Sequence, residues 1–70
     1  MKKYSKSELE HLINEWVIGR NATRNKKIIK DKLIHGMTIL QVANKYKLSE
    51  TRTNTVIRPF RKHIESLEAN

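Results

Sequence analysis

Two helix start signals lie so close together in the stretch GMTILQVANKYKLSETRTNTVIR, Gly36 to Arg58, that a short helix and a tight turn must separate them. At the first, Thr38 is placed to accept from the backbone N–H of Gln41 while the Gln41 side chain reaches back to Thr38, the reciprocal arrangement of a capping box. Met37 before the cap and Val42 after it are spaced to form the apolar staple that fixes how the chain enters the helix. Ile39, Val42 and Tyr46, with Leu40 and Ala43, recur at helical spacing and leave Gln41, Asn44, Lys45 and Lys47 for water. At the second signal, Ser49 takes the N-cap position and Leu48 is placed to plug the angle between two helices. Glu50 stands in the first turn, where the helix dipole favours an acid. Ala43 is small enough for two helix axes to approach closely. Helix, turn and helix is the expectation here.

The flanking segments read as helices too. Ser5 and Glu8 form another capping box, Tyr4 and Leu9 another staple, and Leu9, Leu12, Ile13, Trp16 and Val17 form one apolar stripe from about Lys6 to about Val17. Trp16, the single tryptophan, is expected as a buried core anchor. Gly19 is expected to end this helix in a left-handed conformation, with Asn21-Ala22-Thr23 capping the next. A second helix, Thr23 to His35, sets Ile28, Ile29, Leu33 and Ile34 against a basic face of Arg24, Lys26, Lys27, Lys30 and Lys32, and Gly36 closes it. The helix after Ser49 meets Pro59, which lacks an amide donor and crowds the Thr55 carbonyl. A kink or a break is expected there, with Phe60, Ile64 and Leu67 continuing the apolar stripe to about Glu68. The fold class is therefore all-α, a bundle of four helices, or five if Pro59 separates the last.

Seventy residues allow one domain, and a chain of this size buries only about 60% of the surface its unfolded form exposes. The chain has no cysteine, which removes disulfides and thiolate metal sites and points to a cytoplasmic protein held by packing or dimerisation. No apolar run reaches the roughly 20 residues that span a bilayer, and Lys2 and Lys3 are followed by polar residues instead of a signal core. No membrane partner is expected.

Charge is distributed unevenly. Residues 1–19 balance three Lys against Glu8, Glu10 and Glu15, whereas residues 20–62 hold twelve Lys plus Arg against Asp31 and Glu50 alone. Glu65 and Glu68 then bring the total to +8. Such a concentrated excess is the electrostatic footprint of a polyanionic partner. Catalysis is not indicated: His35 and His63 stand alone, there is no glycine-rich phosphate loop, and no nucleophile has a base at workable spacing. His11 with Glu8 and Glu15 lacks the close Cys or His pairs of a structural metal site. No cofactor, metal or small-molecule ligand is expected.

The helix after Ser49 has a different character. With Val56, Phe60 and Ile64 turned to the core and Thr53 at its edge, the opposite face carries Thr51, Asn54, Thr55 and Arg58, with Arg52 on the flank. Asn reads adenine, Arg reads guanine, and Thr offers a hydroxyl and a methyl that packs on thymine. Thr and Asn are mediocre helix formers, so TRTNT is better explained by hydrogen bonding outward than by helix stability. Candidate phosphate contacts are Arg20, Arg24, Lys26, Lys27, Thr38, Lys45, Lys47, Ser49, Arg61 and Lys62.

From about Arg24 to Lys62, through KKIIKDKLIHGMT, ILQVANKYKLS and SETRTN, the chain resembles the helix-turn-helix of bacterial sigma-factor C-terminal promoter-binding domains and of small phage or plasmid transcription regulators. The resemblance implies Ala43 as the close-packing residue, Leu48 as the turn plug, Ser49 as the cap, and Glu50, Thr51, Arg52, Asn54 and Thr55 as base-facing residues. Lys47 stands where many such proteins have Gly, and Thr53 where most have Ile or Val.

The combined expectation is a sequence-specific, double-stranded DNA-binding transcription regulator whose recognition helix, about residues 49–58, enters the major groove. One helix offers few base contacts, so a homodimer spanning two half-sites is expected, with contact to RNA polymerase open. The alternatives are a basic protein-binding module that docks on an acidic surface of a host enzyme or polymerase, and the DNA-binding part of a recombinase.

Overall fold

The computed structural model describes residues 4–69, without the side chains of residues 68 and 69; Lys2, Lys3 and the Glu68 carboxylate lie outside the described residues. Four helices follow one another: α1 (Lys6–Trp16), α2 (Ala22–Leu33), α3 (Ile39–Tyr46) and α4 (Glu50–Ala69). Among the described residues there is no strand.

Local chemistry sets most of the boundaries. Both capping boxes form: the Ser5 hydroxyl accepts from Glu8 N–H at 3.2 Å and Ser5 N–H donates to Glu8 Oε1 at 3.2 Å. The corresponding distances at Thr38 and Gln41 are 3.1 and 2.9 Å. Helix α1 stops earlier than the glycine suggests, because Val17 turns to extended geometry (φ −83, ψ 109) to bury its side chain. Gly19 takes φ 109 in the following loop and does not cap α1. Asn21 occupies the N-cap position of α2, yet its side chain caps nothing. Gly36 adopts φ 70 after α2, and Met37 N–H bonds back across it to the Asp31 carbonyl at 3.0 Å.

The core is one cluster of Ile13, Val17, Ile28, Ile29, Val42, Ile57 and Phe60, drawn from α1, its cap, α2, α3 and α4. Full burial of each such side chain is worth about 1.5–3 kcal/mol. Five residues depart from the sequence expectation. Trp16 stays 38% exposed, and Leu40 is 57% exposed on the outer side of α3. Thr53, expected at the edge, is fully buried, and Ile57 joins Phe60 in the core while Val56 is only half-buried. The inward face of α4 is therefore rotated toward Ile57. Thr53 fits because its hydroxyl donates to the Ser49 carbonyl at 2.9 Å, which satisfies a group that would cost free energy if buried unpaired.

Pro59 neither ends α4 nor starts a fifth helix: α4 continues through it for 20 residues in all. The physical reason is packing on both sides of the proline. Ile57 and Phe60 are buried and Ile64 packs against the same cluster, while Pro59 and Thr55 face water, where the carbonyl left without a partner can be hydrated.

Candidate nucleic-acid interface

Helices α3 and α4 are joined by three residues, 47–49. Lys47 takes the left-handed conformation (φ 57, ψ 44), which glycine enters without steric cost. Leu48 N–H bonds to the Ala43 carbonyl at 2.9 Å and Lys47 N–H to the Asn44 carbonyl at 3.4 Å, the paired bonds of a Schellman ending. Half-buried Leu48 packs on the core from the turn, and Ala43, 2% exposed, lies at the base of α3. Ser49 then caps α4 by accepting from Arg52 N–H at 3.1 Å.

What holds α3 in place came from a residue that sequence reasoning counted only as a charge. Asp31 on α2 is 7% exposed. Its Oδ2 accepts from Tyr46 Oη at 2.6 Å and from Lys45 Nζ at 2.9 Å, both on α3. Desolvation pulls the Asp31 carboxyl upward, but the hydrogen bonds from Tyr46 and Lys45 and the charges of Lys45 and His35 outweigh it and leave the group below the usual carboxylate range. The hydrogen bond to Asp31 pushes Lys45 up; burial, then the same carboxylate, pushes Tyr46 up. Partners 14 and 15 positions away in the chain have no helical register to Asp31, so no local spacing could have revealed this lock.

On α4 the positions Glu50, Thr51, Arg52, Thr55 and Arg58 are exposed and Asn54 is half-buried at the flank. Their availability differs. The Thr55 hydroxyl donates inward to the Thr51 carbonyl at 2.9 Å, so with Thr53 two of the three threonines of TRTNT spend their donor on the helix itself. The Thr hydroxyls therefore explain less of that segment than expected. Among the described residues no hydrogen bond or ion pair engages the side chains of Thr51, Arg52, Asn54 or Arg58.

Cations surround this face. Arg61 and Lys62 continue it past Pro59, and Thr55, Arg58, Pro59 and Lys62 line one shallow groove along it. A second groove, lined by Ile18, Asn25, Thr55 and Pro59 among others, brings the α1–α2 loop and the first turns of α2 beside the middle of α4. Arg20 is exposed in that loop; Arg24 is half-buried, with Nη2 donating to Asn25 Oδ1 at 3.4 Å and Nε buried without a partner. Lys27 and Lys47 are exposed and Lys26 half-buried. Lys45 is turned to Asp31, and the Thr38 and Ser49 oxygens already serve as caps. Of the twelve cations between Arg20 and Lys62, Lys30 and Lys45 alone have an acid partner among the described residues; Lys30 reaches Glu10 at 3.7 Å. The positive surface is thus largely uncompensated.

His11 Nε2 lies 3.2 Å from Glu15 Oε1, but among the described residues no three His, Asp or Glu side chains converge as a metal site would require. Among those residues no helix is long and apolar enough to cross a membrane. No known protein family matches the chain, and no curated protein or solved structure is significantly similar to it.

Proposed function

We propose that this chain is a sequence-specific, double-stranded DNA-binding regulator of transcription that acts in the cytoplasm, with the outer face of α4 in the major groove. The observation that carries the reading is the unpartnered set Thr51, Arg52, Asn54 and Arg58 on one helix, amid cations of which Lys30 and Lys45 alone have an acid partner among the described residues. Phosphate neutralisation supplies non-specific affinity, and side chains free to pair with base edges supply selectivity. Because α4 continues through Pro59, the same face extends to Lys62, which is suited to a phosphate beyond the base-reading turns. The preceding helix, locked by Asp31, sets the angle at which α4 is offered. Two copies reading two half-sites complete the proposal.

Selection of bound duplexes from a random pool tests it, and a two-fold symmetric consensus is the expected result. On the selected site, Arg58→Ala should cost about 1–3 kcal/mol and relax preference at one base position. Lys62→Ala should weaken all sequences alike and reduce the salt slope by about one. Absence of any preferred site at every salt concentration would end the proposal.

A further inference from the structure

The outer face of α4 has an apolar patch among its polar groups, and two side chains make it. Thr55 and Pro59 stand four positions apart, hence side by side on the helix surface, and both are exposed. The Thr55 hydroxyl donates its hydrogen to the Thr51 carbonyl at 2.9 Å. What Thr55 has left to offer a partner is chiefly its methyl. Pro59 adds a ring of carbon with no donor. An exposed proline in a helix interior gives up a hydrogen bond, so helix stability supplies no reason for it; what it contributes is rigid apolar surface. Arg58 and Lys62 complete the lining of the shallow groove over these two groups, and among the described residues neither has an acid partner.

The occupant follows from the two chemistries together. Cations beside the patch call for an anionic partner, while a methyl and a pyrrolidine ring call for a small apolar group on it. Duplex DNA meets both demands, because the C5-methyl of thymine is the apolar group that a base edge presents in the phosphate-walled major groove. We propose that Thr55 and Pro59 form a methyl slot that reads one thymine, the Thr55 methyl and the Pro59 ring packing against its C5-methyl while Lys62 takes a phosphate of the same groove. The slot rests on the DNA-binding reading and deepens it: one base identity is assigned to one place on α4, and Pro59 gains a role in recognition.

Removing that methyl and nothing else is the test. On a duplex selected from a random pool, deoxyuridine replaces each thymine in turn, which keeps the O4 acceptor and the base pair. Affinity of the full chain, followed by fluorescence anisotropy, should fall about fourfold at one thymine per copy of α4. Thr55→Ser keeps the inward hydroxyl and loses the methyl, and should bind the thymine and deoxyuridine duplexes alike at that position. Thr55→Val makes the reverse change and should keep the difference. Pro59→Ala favours the helix, so the variant folds, and the difference at the same position should shrink. A selected site with no position sensitive to loss of the methyl, a difference that persists in Thr55→Ser or is undiminished in Pro59→Ala, or one that disappears in Thr55→Val overturns the slot and leaves the DNA-binding reading standing. A pool from which no site is selected ends that reading, and the slot with it.

Discussion

Helix α3 is held between two turns that solve the same geometric problem with different residues. The turn before it reverses at Gly36 (φ 70), the turn after it at Lys47 (φ 57). Glycine enters the left-handed region freely, whereas a residue with a Cβ is disfavoured there by about 1–2 kcal/mol. The first turn is thus relaxed and the second strained. Both are tied to Asp31, whose carbonyl accepts from Met37 past the first turn and whose carboxylate accepts from Lys45 and Tyr46 just before the second. The contrast teaches that strain is tolerated where a buried anchor fixes the helix end, and where a cation is gained beside Ser49 and the exposed face of α4.

The largest effect should come from removing that shared anchor. Asp31→Ala leaves the part-buried Tyr46 hydroxyl without its acceptor and should destabilise the fold by about 1–3 kcal/mol, read as a drop of about 4–8 °C in Tm for each kcal/mol. A weakening of less than about 0.5 kcal/mol would show that the turns are held independently of Asp31.

Next comes the relaxed turn. A Cβ at Gly36 would meet no atom within 4 Å, so the cost of Gly36→Ala is backbone strain alone, about 1 kcal/mol by denaturant titration. Its mirror is Lys47→Gly, which relieves strain but loosens the unfolded chain. A net gain of about 0.5 kcal/mol is expected, together with weaker DNA binding and a shallower salt slope. If Lys47→Gly proves destabilising, the second turn is not the strained one.

The smallest effect is the pH response of the anchor. Asp31 lies below its ordinary value, so its contribution is complete above about pH 4 and drains away as pH falls through the lower folded value. Tyr46 and Lys45 lie above theirs, so their contributions are complete below about pH 10 and are lost as pH rises through the folded values. Thermal melts across pH should show a plateau with both shoulders, and Asp31→Asn should flatten both. Retention of the wild-type acid shoulder in that variant would place the responsible carboxyl elsewhere.

Signals confined to one helical turn were legible in the sequence. Ser5 with Glu8 and Thr38 with Gln41 announced two helix starts because a capping box needs only neighbours. Ile13, Ile28, Ile29 and Val42 were legible as core because three- and four-residue spacing records the buried face directly. Features decided by distant packing were not. Burial of Thr53 depends on the rotation of α4, which Ile57 sets; continuity through Pro59 depends on anchors on both sides of it. The Asp31 lock spans two helices, and the partial exposure of Trp16 follows from where the end of α1 happens to cross α4. In the candidate site, the identities on the α4 face could be read, but not that Thr55 would turn its donor inward or that Lys45 would be claimed by Asp31.

The unbroken passage of α4 through Pro59 has a mechanical consequence. A helix of 20 residues is about 30 Å long, close to the molecule's longest extent of 35 Å, so α4 is the beam of the domain, with one rung absent near its midpoint. Stiffness is lowest at that rung, and a flexure of about 10° there would carry either tip roughly 2–3 Å sideways, given arms of about 15 Å. A load on either tip of α4 would therefore be relieved first at the Thr55 carbonyl, where the ladder lacks a donor.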